Sequence, residues 1–153
     1  MNVAENIRID GTKEAVWSVI TGIDNCKDVI SSIIRINVLH KPESDLVGLK
    51  WEETRVMFGK EAIETMWITD AVEGEYYSTR AESHGSVYIS TLSVKEDNGG
   101  TNLSMSFTGK PQTLIAKSLS FLMAPLIKGS IKKALAKDLQ DIKVYVEKAN
   151  KSL

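Results

Sequence analysis

The stretch KWEETRVMFGKEAIETMWI, residues 50–68, reads as two strands folded back on a Phe58-Gly59 turn, and its register decides what the interior can be. A two-residue loop at Phe58-Gly59 and a four-residue loop from Met57 to Lys60 give the same pairing, because opposed residue numbers then sum to one value. Glu53 faces Glu64, Trp51 faces Met66 and Leu49 faces Ile68, with Arg55 diagonal to Glu64 and within reach of it. One face therefore carries Leu49, Trp51, Glu53, Arg55, Ala62, Glu64, Met66 and Ile68. The other carries Lys50, Glu52, Thr54, Ile63, Thr65 and Trp67, polar but for Ile63 and Trp67, and reads as the solvent side.

The inner face is mixed, and that needs a reason. Two opposed glutamates repel, which pushes one carboxyl toward its neutral form in a partly dry site. Arg55 offsets this: at about 4 Å and an effective dielectric near 20, one opposite charge contributes about 4 kcal/mol before desolvation is subtracted. A filled apolar core houses three ionisable groups poorly. A water-containing cavity between sheet and helix keeps Glu53, Arg55 and Glu64 hydrated, while Trp51, Met66, Tyr88, Met105, Phe107 and a helical stripe of Leu119, Leu122 and Leu126 supply an apolar wall. A cross-strand ion network near the open end of the sheet, worth little where exposed, explains the same trio. The residues alone leave both readings open.

Outward from the hairpin, the pattern changes period twice. VAENIRI (3–9) alternates as a strand, and DGTKEAVWSVI then opens a short amphipathic helix with Thr12 as N-cap and Val16, Val19 and Ile20 on its buried stripe. TGIDNCKDV closes it with a second helical turn. From Ser31 to Phe107, strands alternate with Lys41-Pro42, Phe58-Gly59, Glu73-Gly74, His84-Gly85 and Asn98-Gly99-Gly100, links short enough to demand an antiparallel meander. The last forty residues return to helical period through Ile115, Leu119, Leu122 and Leu126, then Ile131, Leu135, Leu139, Ile142 and Val146. Pro125 and Gly129 predict a bend or break in that helix.

The totals exclude several functions. A chain of 153 residues, 42% hydrophobic and 25% charged, has the size of one globular domain. A net charge of −1 gives no basic field for a nucleic-acid backbone. Cys26 is the sole cysteine, and MNVAENIRID lacks a signal-peptide pattern, so the expected compartment is the cytoplasm. TLIAKSLSFLMAPLI (113–127) falls short of the roughly 20 residues that span a bilayer, so no stable membrane insertion is expected. His40 and His84 have no partner at metal-ligand spacing, so neither a metal site nor a cofactor is expected. No P-loop, G-x-S-x-G or G-x-G-x-x-G occurs. Lys128, Lys132, Lys133 and Lys137 read as a solvated helix face rather than an anionic-membrane patch. The apolar tip Val56-Met57-Phe58-Gly59 suits a lid, a membrane-touching finger or a homodimer contact.

Four stretches in order, TKEAVWSVITGID, VGLKW, EAIETMWITD and GGTNLSMSF, give the chain a resemblance to the START-like (SRPBCC, helix-grip) superfamily, polyketide cyclase/dehydrase-like branch. The resemblance covers essentially the whole chain, so residues 1–153 read as a single START-like ligand-binding domain. It implies an α+β helix-grip fold: a seven-stranded curved antiparallel sheet, two short helices after strand 1 and a long C-terminal helix over an apolar cavity. It also implies that Glu64, which matches a glutamate of the fourth strand in such proteins, points into that cavity. Members carry lipids, sense hormones, act as cochaperones or cyclise polyketides, so the fold does not choose among activities. The leading expectation is binding or transport of a small, mostly apolar ligand such as a lipid, isoprenoid or polyketide. The ligand-binding set is Trp51, Glu53, Arg55, Glu64, Met66, Tyr88, Met105, Phe107, Leu119, Leu122 and Leu126. The competing expectations are a cyclase/dehydratase with Glu64 or Glu53 as general base, and a cochaperone-like module acting through the outer sheet face or the Phe58 tip.

Overall fold

The computed structural model describes residues 1–152, with the side chains of Ser120 and Leu122 outside the described set. Strand β1 (Asn2–Ile9) leads into helix α1 (Lys13–Thr21), a 3-10 turn (Ile23–Asn25) and α2 (Cys26–Val29). Strands β2 (Ile33–His40), β3 (Lys50–Met57), β4 (Lys60–Val72), β5 (Tyr76–Ser83), β6 (Ser86–Asp97) and β7 (Gly100–Pro111) follow, and α3 (Leu114–Lys151) closes the chain. The seven strands form one curved antiparallel sheet in the order β1-β7-β6-β5-β4-β3-β2, a meander whose last strand returns to the first. This is the helix-grip arrangement expected from the sequence.

Local chemistry sets the boundaries. The hydroxyl of Thr12 accepts from the Ala15 N–H at 3.1 Å, capping α1, and that of Thr113 accepts from the Ala116 N–H at 3.1 Å, capping α3. The β3–β4 register is the one read from the hairpin, with Glu53 opposite Glu64 and Trp51 opposite Met66. A shift between Ile68 and Asp70 lets β4 keep Ile68 and Ala71 on the same inner side, opposite the buried Thr79 and Tyr77.

The core sits at one end of this grip. Val16, Trp17 and Ile20 of α1 pack with Ile9, Leu92, Val94 and Leu103 of the sheet and with Leu135, Leu139, Ile142 and Val146 of α3. Trp17 is buried and donates its indole N–H to Glu73 at 3.1 Å. Tyr77, edge-on to Trp17, is the tyrosine that enters the core, and its hydroxyl donates to the Ile20 carbonyl at 2.8 Å. Tyr76 points the other way and bonds Asp70.

The break expected in α3 and its continuous apolar stripe are both corrected. The helix runs unbroken through Pro125 and Gly129. Pro125 lies on an exposed stretch, where water can satisfy the Phe121 carbonyl that lacks an N–H partner. The stripe of Ile115, Leu119 and Leu126 does not form a continuous buried seam: all three are exposed, and the seam begins only at Ile131.

Candidate functional site

Beyond the core, the N-terminal half of α3 stands off the sheet and a cleft of about 300 Å³ opens beneath it. Its floor is sheet: Tyr88 and Ser86 of β6, Phe107, Gly109 and Pro111 of β7, and Glu64 of β4. Its roof is Ala116, Leu119, Met123, Ile127 and Ile131 of α3, and its rim is Met1, Met57, Phe58 and His84. Tyr88 and Phe107 stack with ring centroids 5.6 Å apart, which fixes a flat aromatic wall. Gly109 lies directly under that wall, since a Cβ there would meet the Tyr88 ring at 3.3 Å.

The rim is built from strained turns. Phe58 and His84 adopt left-handed backbone, at φ 52° and 49°, each followed by a glycine. The turn at the far end of the sheet has the same geometry with Asn98-Gly99, the residue pair that tolerates it best. A bulky side chain in this region costs about 1–2 kcal/mol, and both costly residues border the cleft. The His84-Gly85 turn also seats the start of α3: the Gln112 N–H donates to the Gly85 carbonyl at 2.8 Å, and a Cβ on Gly85 would collide with Thr113 Oγ1 at 2.8 Å.

The charged trio is rearranged relative to the sequence reading. Arg55 does not reach Glu64. Its Nε donates to Glu53 at 3.0 Å and its Nη1 to Asp138 of α3 at 2.9 Å, while the Ser32 hydroxyl donates to the other Asp138 oxygen at 3.3 Å. Burial pulls the guanidinium toward deprotonation, but Glu53 and Asp138 outweigh it and hold its pKa above the ordinary value. The trio Glu53–Arg55–Asp138 thus clamps the helix to the sheet. Arg55 and Asp138 line a smaller groove of about 200 Å³ that shares Met57, Phe58 and Ile131 with the main cleft.

Glu64 is left facing the cleft without a salt bridge among the described residues. Burial raises its pKa, repulsion from Glu53 adds to this, and Arg55 and His84 only partly offset them. Cys26 is chemically quiet, its thiol pushed up to about 12 chiefly by burial.

Of the residues expected from the sequence, Glu64, Tyr88, Phe107 and Leu119 meet at the cleft. Trp51 and Met105 are sealed in the core, and Met66 packs partly buried against it, because the closed half of the grip is filled rather than hollow. The indole N–H of Trp51 is buried without a hydrogen-bond partner among the described residues. Glu53 and Arg55 belong to the clamp, and Leu126 is exposed on α3, away from the cleft. Leu122 has its side chain outside the described set. Sequence reasoning missed Asp138, although a carboxylate three residues after Leu135 on an otherwise apolar stripe signals a buried cation partner. It also missed His84, for which the signal was a bulky residue directly before glycine in a tight hairpin turn, whereas Phe58, singled out in the sequence as part of an apolar tip, stands at the rim.

A Thermus thermophilus protein, TTHA0849, superposes with a TM-score of 0.81 at 14% identity, covering 97% of this chain and 99% of its own. A START superfamily protein from Mycobacterium smegmatis gives 0.81 at 11% identity, over 97% of this chain and 98% of that one. The di-domain ARO/CYC BexL from the BE-7585A biosynthetic pathway gives 0.78 at 12% identity, over 96% of this chain and 50% of that one. At such identities the likeness is one of fold. No curated protein matches the chain. The family described as polyketide cyclase / dehydrase and lipid transport matches residues 1–147, and with the helix-grip fold and its half-open cleft in place, the chain belongs to that family.

Proposed function

We propose that the cleft binds a small, mostly apolar molecule bearing one polar group, of lipid, isoprenoid or polyketide type, and that the protein carries rather than transforms it. The observation that supports this is Glu64. A single carboxyl biased toward its neutral form, set among Tyr88, Phe107, Leu119 and Met123, suits a hydroxyl or carbonyl at the end of an apolar body. At about 300 Å³ the cleft is at the lower end of the range for ligand sites, so it takes one ring system or a short chain rather than a whole diacyl lipid. The family description and the aromatase/cyclase neighbour keep a second reading in view: Glu64, with His84 near, acting as general base on a carbon beside a carbonyl.

The test is native mass spectrometry and organic extraction of purified protein, with uptake of an apolar fluorescent probe by wild type and by Ser86→Phe, which fills the cleft floor. Uptake by the wild type and its loss in Ser86→Phe support the proposal. Equal uptake by both, with nothing extracted, overturns it. Turnover of a polyketide-like substrate that disappears in Glu64→Gln while binding persists favours catalysis over carriage.

A further inference from the structure

We infer that the open end of the molecule is a peripheral docking surface for anionic lipid bilayers, which revises the sequence reading of the α3 lysines as a merely solvated face. From Leu114 to Ile127, apolar residues point in every direction around α3, and the only charge is Lys117. A helix apolar all round is ordinarily buried or in lipid. Here the side away from the cleft is bare: Phe121 is 84% exposed, Leu114 83% and Leu126 72%, with the Phe58 tip 69% exposed beside the same end.

The charge around this patch has one sign. No Asp or Glu occurs between Asp97 and Asp138, whereas Lys110, Lys117, Lys128, Lys132, Lys133 and Lys137 all fall within that run. Lys132 is held by Glu5 at 3.5 Å and Lys137 by Asp141 at 3.5 Å. Lys110, Lys117, Lys128 and Lys133 form no ion pair among the described residues. The neighbouring hairpin tips add no net negative charge, since Lys60 stands beside Glu61 and Glu82, near the other tip, is paired with Arg80 at 2.7 Å.

This complementarity selects the occupant. A second copy meeting the patch face to face would bring each lysine set against its own duplicate, which repels. A bilayer with anionic headgroups accepts both features at once: the apolar side chains enter the acyl boundary by about 5–10 Å, and each lysine near the surface contributes about 1 kcal/mol. Among the described residues no helix is long and apolar enough to cross a membrane, so the contact is one of lying on it.

Docking of this kind does not require the cleft to hold a ligand. Phe121, Leu126, Lys128 and Lys133 lie outside the cleft lining, so vesicle binding and ligand uptake fail separately. The experiment is co-sedimentation of the full chain with vesicles of phosphatidylcholine alone and of phosphatidylcholine mixed with phosphatidylglycerol, at low and high salt. Binding to the mixed vesicles is expected, weakening as salt rises and weakening at least about tenfold in Lys128→Glu/Lys133→Glu. Phe121→Ser/Leu126→Ser abolishes it. All four side chains are exposed, so both variants keep the wild-type thermal midpoint and the loss is not unfolding. No sedimentation with the mixed vesicles overturns the inference, as does equal binding to neutral vesicles that charge reversal leaves unchanged. Dimerisation in sedimentation velocity that Phe121→Ser/Leu126→Ser abolishes, without vesicle binding, overturns it in favour of a second copy.

Discussion

The two halves of α3 carry similar numbers of large apolar residues and use them in opposite ways. From Ile131 to Val146 the buried ones recur at threes and fours and lie against the sheet and α1, and the charged residues other than the clamp's Asp138 sit off that seam. From Leu114 to Ile127 they surround the helix, so the sheet can cover only part of them and the rest stands in solvent. One half behaves as core and the other as surface that is apolar without being core. Hydrophobicity along a helix therefore does not report burial; its periodicity does.

Paired truncations test that contrast most forcefully. Leu139→Ala, at a side chain 1% exposed, is expected to cost about 2–5 kcal/mol in urea unfolding. Leu126→Ala on the other half is expected to change stability by less than about 0.5 kcal/mol. Comparable losses from both would show that the first half of α3 packs as firmly as the second.

Within the buried half of α3 the clamp adds a charged contact to the apolar seam. Asp138→Ala leaves Arg55 with Glu53 alone and should cost about 2–3 kcal/mol. That is below the loss for a fully buried pair, because the Arg55 side chain keeps 21% of its surface exposed. Arg55→Met combined with Asp138→Leu should recover part of this, since an apolar pair removes both desolvated charges. A double variant no more stable than Asp138→Ala would show that geometry, not charge burial, is what the clamp supplies.

A smaller effect of opposite sign is expected at the rim. Phe58→Asn places in a left-handed position a residue that accepts it, and should stabilise the protein by about 0.5–1 kcal/mol in the same assay. The far turn should respond in the reverse sense: Asn98→Phe should destabilise by a similar amount, because it imposes there the strain that Phe58 already bears.

The division between legible and illegible features follows the same physics. Strand order, hairpin register, the cap at Thr12 and the buried run from Ile131 onward were readable because alternation, helical period and turn residues are local signals. The filling of the closed end was not, since whether Trp51 and Met105 line a hollow or complete a core depends on how near α1 and α3 approach. The partner of Arg55 was misread for a related reason. Pairing rules place Glu64 within reach across the strand, but Asp138 arrives from a helix 83 residues away in sequence and binds more directly.

The finest test of the contrast is electrostatic, and it concerns Glu64, the carboxyl that lines the cleft. Folding raises the pKa of Glu64 above its ordinary 4.5, mainly through burial, so the folded protein holds this proton more tightly than the unfolded chain. The stability that results is fully present below pH 4.5 and is lost as pH rises through the folded pKa. Glu64→Gln removes that dependence. Asp10 and Asp141, whose pKa values are lowered by folding, lose their contributions as pH falls, but they do so in both proteins and cancel in the comparison. Melting temperatures measured across pH should therefore favour wild type most at the acid end, with the variant gaining steadily as pH rises to neutrality. Parallel curves would mean that Glu64 is solvated like any surface glutamate, and the open half of the grip would then be wetter than its apolar lining implies.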